Sequence, residues 1–158
     1  LQFDTQSGHI EIASASAEAQ GLPRVPQPIV DPVPENGQLR LLSPASNWRL
    51  NDSYGNDPRL EKRAGPAELY IHAADAEPRG IENGSKVSVS NESGTMELVA
   101  QVDDIVLPGT VLSYKGRWPS REPGGQNLNF LHAGQKCDMA ESTSVHGILV
   151  DVAPVATT

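Results

Sequence analysis

The sequence predicts a mainly β domain with short helices, folded as a small closed barrel. Apolar residues alternate at period two in several short windows from Gln38 onward, the spacing of half-buried strands. Turn-forming residues punctuate those windows, with 14 Gly and 13 Pro in 158 residues. The helical segments between them are too few and too short for repeated βαβ units, which sets aside a parallel α/β sheet.

In chain order, His9-Ile10-Glu11-Ile12-Ala13 alternates and predicts a short strand. Ser14 can cap a helix through Gln20, stopped by Gly21 and Pro23. Pro23, Pro26, Pro28, Pro32 and Pro34 then remove ladder donors, so this stretch reads as an extended linker or strap. The natural cut falls at Asn36-Gly37, giving residues 1–36 and 37–158. Beyond it, Leu39–Leu42 and Glu68–His72 read as strands, with short helices over Asp57–Arg63 and Ala73–Arg79. Lys86–Ser90 and Met96–Val102 form a hairpin around Asn91-Glu92-Ser93-Gly94, where Gly94 can take a positive φ. Thr110–Tyr114 follows the Leu107-Pro108-Gly109 turn, and Ile148, Val150 and Val152 mark the closing strand.

The size, 16.9 kDa, suits one domain with some extra length, and 37% hydrophobic content suffices for one core. No apolar run approaches the roughly 18 to 20 residues of a membrane span. No basic-then-apolar signal segment opens the chain, and Leu1 without an initiator Met reads as the start of an excised fragment. A net charge of −8 argues against a nucleic-acid surface. The single cysteine, Cys137, excludes an internal disulfide framework and reads as a free thiol in a reducing, cytoplasmic compartment or as a packed one. The four histidines show no close metal-ligand spacing.

Two loops carry the candidate chemistry. In the first, Ser43, Ser46, Asn47, Arg49, Asn51 and Ser53 offer short polar groups around Trp48 and Tyr54. Such a loop suits a polyoxygenated ligand, with an indole to stack or wall off solvent, although the same residues also make an ordinary surface loop. In the second, Gly124-Gly125-Gln126-Asn127-Leu128-Asn129 pairs glycines that admit close approach with carboxamides that donate and accept; the plain alternative is a Gly-Gly turn. Arg49, Arg59, Lys62 and Arg63 surround the first loop, with Glu61 expected to pair within that group. Lys115, Arg117 and Arg121 precede the second, with no acid between Ile105 and Arg121, so a positive field toward a pyrophosphate is expected. Asp103-Asp104, adjacent on an expected strand, point to opposite faces and make a poor acid/base pair. No G-x-S-x-G elbow, P-loop or G-x-G-x-x-G is present.

Leu41-Leu42-Ser43-Pro44, Ser53-Tyr54-Gly55-Asn56-Asp57-Pro58, Gly116-Arg117-Trp118 and the Gly-Gly-Gln-Asn stretch stand in an order that resembles a known family. It is the C-terminal, cofactor-capping domain of the molybdopterin oxidoreductases that carry a guanine-dinucleotide pterin, the dimethyl sulfoxide reductase superfamily. Ser7-Gly8-His9-Ile10-Glu11 resembles the strand that precedes that domain, and the chain departs from the family at Ser85, where Asp is usual. The resemblance implies a six-stranded double-psi β-barrel over 37–158, with 1–36 as the tail of the preceding domain. It implies that Ser43, Asn47, Trp48, Arg49, Asn51, Ser53, Gly125, Gln126, Asn127 and Asn129 line molybdopterin guanine dinucleotide, with Asn127 approaching the pterin or its phosphates. Catalytic and metal-ligating residues are expected upstream of this chain, so Cys137 is no ligand. The implied parent holds two such dinucleotides on molybdenum or tungsten and an iron–sulfur cluster near its N-terminus. Its activity would resemble that of formate dehydrogenases or nitrate and thiosulfate reductases, and its remaining domains would be this chain's partners. The other reading of such a barrel is a protein-interaction module of a larger ATPase, since fold does not fix function. A self-processing decarboxylase on the same barrel would require cleavage before a serine such as Ser85.

Overall fold

The computed structural model describes residues 1–28, 30, 32–136, 142, 143 and 145–156, so Cys137 lies outside the described residues. The chain divides into two compact units, Leu1–Asp31 and Pro32–Thr158.

Among its described residues the first unit contains one helix, α1 (Ala15–Ala19). Ser14 caps it by accepting the Ala17 amide at 3.2 Å. Gly21, at φ +78°, ends it: its own N–H reaches Glu18 O and that of Leu22 reaches Ala17 O, a Schellman stop. Residues 9–13, expected as a strand, are irregular, and Ile10 and Ile12 are exposed. Alternation alone cannot make a strand without a neighbour to complete the ladder, and no described residue of this unit supplies one.

In the second unit, six strands close a barrel among the described residues: β1 (Leu39–Leu42), β2 (Glu68–Ile71), β3 (Lys86–Asn91), β4 (Gly94–Val102), β5 (Thr110–Leu112) and β6 (Ile148–Pro154). They lie around the barrel in the order β1-β5-β2-β4-β3-β6. The pairs β1/β5 and β2/β4 are parallel and the other four antiparallel. Exchanging each strand with the one three places along reproduces the ring and every pairing direction. That internal two-fold relation, with its two crossed parallel pairs, is the double-psi barrel; the repeat lies in the path of the chain and not in its residues.

Period-two alternation fills the interior. Leu39 and Leu41, Leu69 and Ile71, Val87 and Val89, Met96, Leu98 and Ala100, Val111, and Val150 and Val152 all point inward and are buried. Ile81, Leu128 and Leu131 pack against the same cluster. Asp57 caps α2 (Pro58–Ala64) by accepting the Arg59 amide. His72 caps α3 (Ala73–Ala76), which tightens into a 3₁₀ turn over Glu77–Arg79.

Two local expectations are corrected. Gly94 is not in the left-handed region; a Cβ there would lie 2.6 Å from Phe130 O, so close approach is what requires glycine. Its turn is organised by Asn91, whose Oδ1 accepts the Ser93 and Gly94 amides. β4 ends at Val102, and Asp103 closes a turn by accepting the Ile105 amide at 2.9 Å. At Ser85 the turn is kept by a hydroxyl, which donates to Glu82 O at 2.7 Å.

Candidate functional site

Parallel pairing brings the two candidate loops to one rim. The C-terminal ends of β1 and β5 lie side by side, and a parallel bridge between Ala45 and Lys115 holds them together beyond the barrel. Because β2 runs antiparallel to β5, and β4 parallel to β2, the starts of β2 and β4 reach the same rim. This places Pro66, Ala67, Met96 and Leu98 below the loops.

The loops are locked to each other. Gly116 sits at φ +95°, and a Cβ there would lie 2.0 Å from Asn51 O. Trp118 Nε1 donates to the Asp52 carbonyl, and its indole packs on Gly55, where a Cβ would meet Nε1 at 3.1 Å. Asn51 and Tyr54 have φ of +53° and +67°, a left-handed conformation that these contacts hold in place.

Three adjoining clefts open at the rim, all lined by Arg117. The first, about 260 Å³, is bounded by Arg49, Pro66, Met96, Arg121, Glu122 and Gln126. The second, also about 260 Å³, is bounded by Asn51, Ser113, Tyr114, Gln126, Asn127 and Asn129. Asn47, Trp48, Arg49, Arg63, Tyr70 and Tyr114 bound the third, about 300 Å³.

Arg117 organises the rim. Its Nη2 donates to the carbonyls of Ala64, Gly65 and Pro66 at 3.3, 2.9 and 2.5 Å, capping the end of α2. Its Nη1 donates to both Glu122 oxygens, at 3.1 and 3.3 Å. Arg49 is different: it is 8% exposed, and among the described residues its Nε has no hydrogen-bond partner. Burial, and then the charge of Arg117, lower its pKa, while Glu122 and Glu61 act in the opposite direction. Burial, followed by the hydrogen bond to Glu68, pushes the Tyr70 phenol up to about 12, so it stays a neutral donor.

Of the ten expected site residues, Asn47, Trp48, Arg49, Asn51, Gln126, Asn127 and Asn129 line these clefts. Trp48 is exposed, with the Arg63 guanidinium 5.3 Å from its ring centre. Asn127 Nδ2 donates to Arg117 O at 2.7 Å, and its Oδ1 accepts the Asn129 amide at 3.0 Å, so both ends of this carboxamide hold the second loop. Ser43 is buried, donates to Val145 O at 3.0 Å and is not among the cleft-lining residues. Ser53 closes a tight bridge with Leu50, and Gly125 is an exposed turn at φ +68°; neither lines the three clefts.

The charge pairing also differs from expectation. Glu61 pairs with Arg121 of the second basic group at 3.2 Å, while Arg59 pairs with its neighbour Asp57. Glu122, one residue beyond the acid-free window, neutralises Arg117. Arg117, Glu122 and Tyr70 were not among the expected site residues. The Gly116-Arg117-Trp118 segment was the signal for the first, and nothing local marked the other two.

A closed double-psi barrel with an arginine-lined cleft at one rim is the frame for the comparisons. Residues 39–149 match the family described as molydopterin dinucleotide binding domain, and the chain belongs to that family. It is 32% identical to dimethyl sulfoxide reductase DmsA of Escherichia coli over 96% of its own length and 21% of that protein's. It is 33% identical to the probable oxidoreductase YoaE of Bacillus subtilis, over 87% of this chain and 20% of that one. The chain thus spans about a fifth of the length of the relatives it matches. Acetylene hydratase from Pelobacter acetylenicus superposes with a TM-score of 0.82 at 18% identity, over 96% of this chain and 24% of that one, which shows the shared fold. Among the described residues, no helix is long and apolar enough to cross a membrane, and no three His, Cys, Asp or Glu side chains cluster to hold a metal.

Proposed function

We propose that this chain closes over one molybdopterin guanine dinucleotide in a larger oxidoreductase and receives its diphosphate at Arg49. The buried, unpartnered Nε of Arg49 carries this reading. A buried donor left without an acceptor is costly, and a phosphate oxygen is the acceptor that matches a guanidinium. Asn47, Asn51, Gln126 and Asn129 add groups suited to the heteroatom edges of sugars and heterocycles, and Trp48 walls off solvent. Ser43, Ser53, Gly125 and Asn127 act one step back, shaping the loops that present the others.

The bound cofactor supplies the redox chemistry, and this chain's residues orient it and exclude water. The parent, on this reading, carries two guanine dinucleotides on one molybdenum or tungsten, with an iron–sulfur cluster in its upstream part. It passes electrons between a small substrate and a carrier, in the manner of the S-oxide or N-oxide reductases named among the relatives or of formate dehydrogenases and nitrate or thiosulfate reductases. Residues 1–36 end the preceding domain, 37–158 form the cap, and the remaining domains are the partners. The acidic chain binds no nucleic acid, inserts in no membrane and works in the cytoplasm. The ATPase interaction module has weaker support, since relatives aligned along most of this chain carry oxidoreductase names.

The test is metal and nucleotide analysis of the full-length native protein. Molybdenum or tungsten, iron, and about two acid-released guanine nucleotides per chain are expected. A folded, cofactor-competent preparation without metal or guanine overturns the proposal.

A further inference from the structure

The charges lining the first cleft are unevenly matched. Arg49, Lys86, Arg117 and Arg121 stand against Glu61, Glu97 and Glu122. Each carboxylate already has a cation: Glu122 has Arg117 at 3.1 Å, Glu61 has Arg121 at 3.2 Å and Glu97 has Lys86 at 3.9 Å. Four cations against three carboxylates leave one net positive charge, and the unmatched cation is Arg49. Of the three pairs, Arg117 and Glu122 are the buried one, with side chains 13% and 10% exposed. Burial weakens solvent screening, so Glu122 acts on whatever approaches Arg49 more strongly than the two outer carboxylates do.

Glu122 also decides what Arg117 can do. With both Glu122 oxygens on Nη1 and three carbonyls on Nη2, the Arg117 guanidinium is engaged by the protein. Without the carboxylate, one end of that fork would turn free toward the cleft it already lines.

We infer that Glu122 is the positioning and charge-setting residue of the Arg49 anion site: it holds Arg117 on the α2 carbonyls and limits the cleft to one net positive charge. This inference rests on the reading of the cleft as a diphosphate site. A site so limited holds free inorganic phosphates loosely and depends on the rest of a dinucleotide for its affinity, which selects the large diester over small anions.

The test uses inorganic pyrophosphate and the 158-residue chain, whose barrel has its own closed core. Binding is followed through the Nε–H resonance of Arg49 by ¹⁵N-edited NMR and by calorimetry. The wild-type chain is expected to bind weakly, and Glu122→Gln about five- to tenfold more tightly, a gain that shrinks as salt is raised. Glu122→Asp, which keeps the charge, should stay within about twofold of the wild type. Glu61→Gln at the cleft edge gives a smaller gain and serves as the second variant should Glu122→Gln fold poorly. A purely structural role for Glu122 predicts loss, never gain, so unchanged or weaker binding in both Gln variants overturns the inference. If Arg49→Gln abolishes binding while the Glu variants change nothing, the charge-setting role fails and the diphosphate reading stands. If Arg49→Gln binds like the wild type, the diphosphate reading itself fails and takes this inference with it.

Discussion

In the barrel, backbone pairs with backbone: six strands close a ring, and apolar side chains need only point inward and fill space. At the rim, backbone also pairs with side chains. The carbonyls of Ala64, Gly65 and Pro66 are met by Arg117, that of Asp52 by Trp118, that of Arg117 by Asn127 and that of Val145 by Ser43. The difference is one of redundancy. A strand position tolerates another apolar residue of similar volume, whereas each rim contact depends on one side chain with the right donors. The barrel therefore tolerates exchange, and the rim carries the identity of the site.

Substitutions can break that contrast in graded steps. Arg117→Met is expected to have the largest effect, about 3–5 kcal/mol, because it leaves Glu122 buried without its cation and three carbonyls without a donor. Urea unfolding measures it, and little change would mean that solvent satisfies the rim. Leu69→Ala, at a fully buried barrel position, should cost about 2–5 kcal/mol by the cavity it leaves, with the loops keeping their conformation. Trp118→Phe keeps an aromatic ring but loses the bond to Asp52 O, for about 1 kcal/mol. Hydrogen exchange should then quicken in residues 51–55 and stay unchanged in the strands. The smallest effect belongs to Asp57, whose bonds with the Arg59 side chain and backbone hold its carboxyl down at about 2. A depressed carboxylate stabilises the fold above its unfolded value and loses that contribution as pH falls toward 2, so Asp57→Asn should slightly lower the neutral plateau of a pH–stability curve and flatten its acid limb.

The same contrast explains what could be read in advance. Strands such as Lys86–Asn91 and Gly94–Val102 announce themselves because inward residues recur at every second position. Residues 9–13 show the same alternation without a ladder, because pairing is a property of the neighbour and not of the segment. The 3₁₀ turns at 119–121, 123–125 and 128–131 have no periodicity long enough to detect. The polar loops were legible as candidate ligand surfaces, yet the division of labour within them was not. Asn127 and Ser43 offer ligand-type groups in sequence, and only the fold shows that Asn127 also ties its own loop at Arg117 O and that Ser43 reaches the distant Val145 O. Arg49 stands out only when every other guanidinium of the first cleft is seen to have a carboxylate. The two-fold relation of the barrel was likewise invisible, because the halves share a path and no recognisable repeat of residues.

The most direct test of the central claim is a structure of the full-length protein with its cofactor bound. A phosphate oxygen of the dinucleotide within hydrogen-bond distance of Arg49 Nε, with Arg117 still paired to Glu122, is the result expected. A dinucleotide lying elsewhere, with Arg49 Nε still without an acceptor, would contradict it.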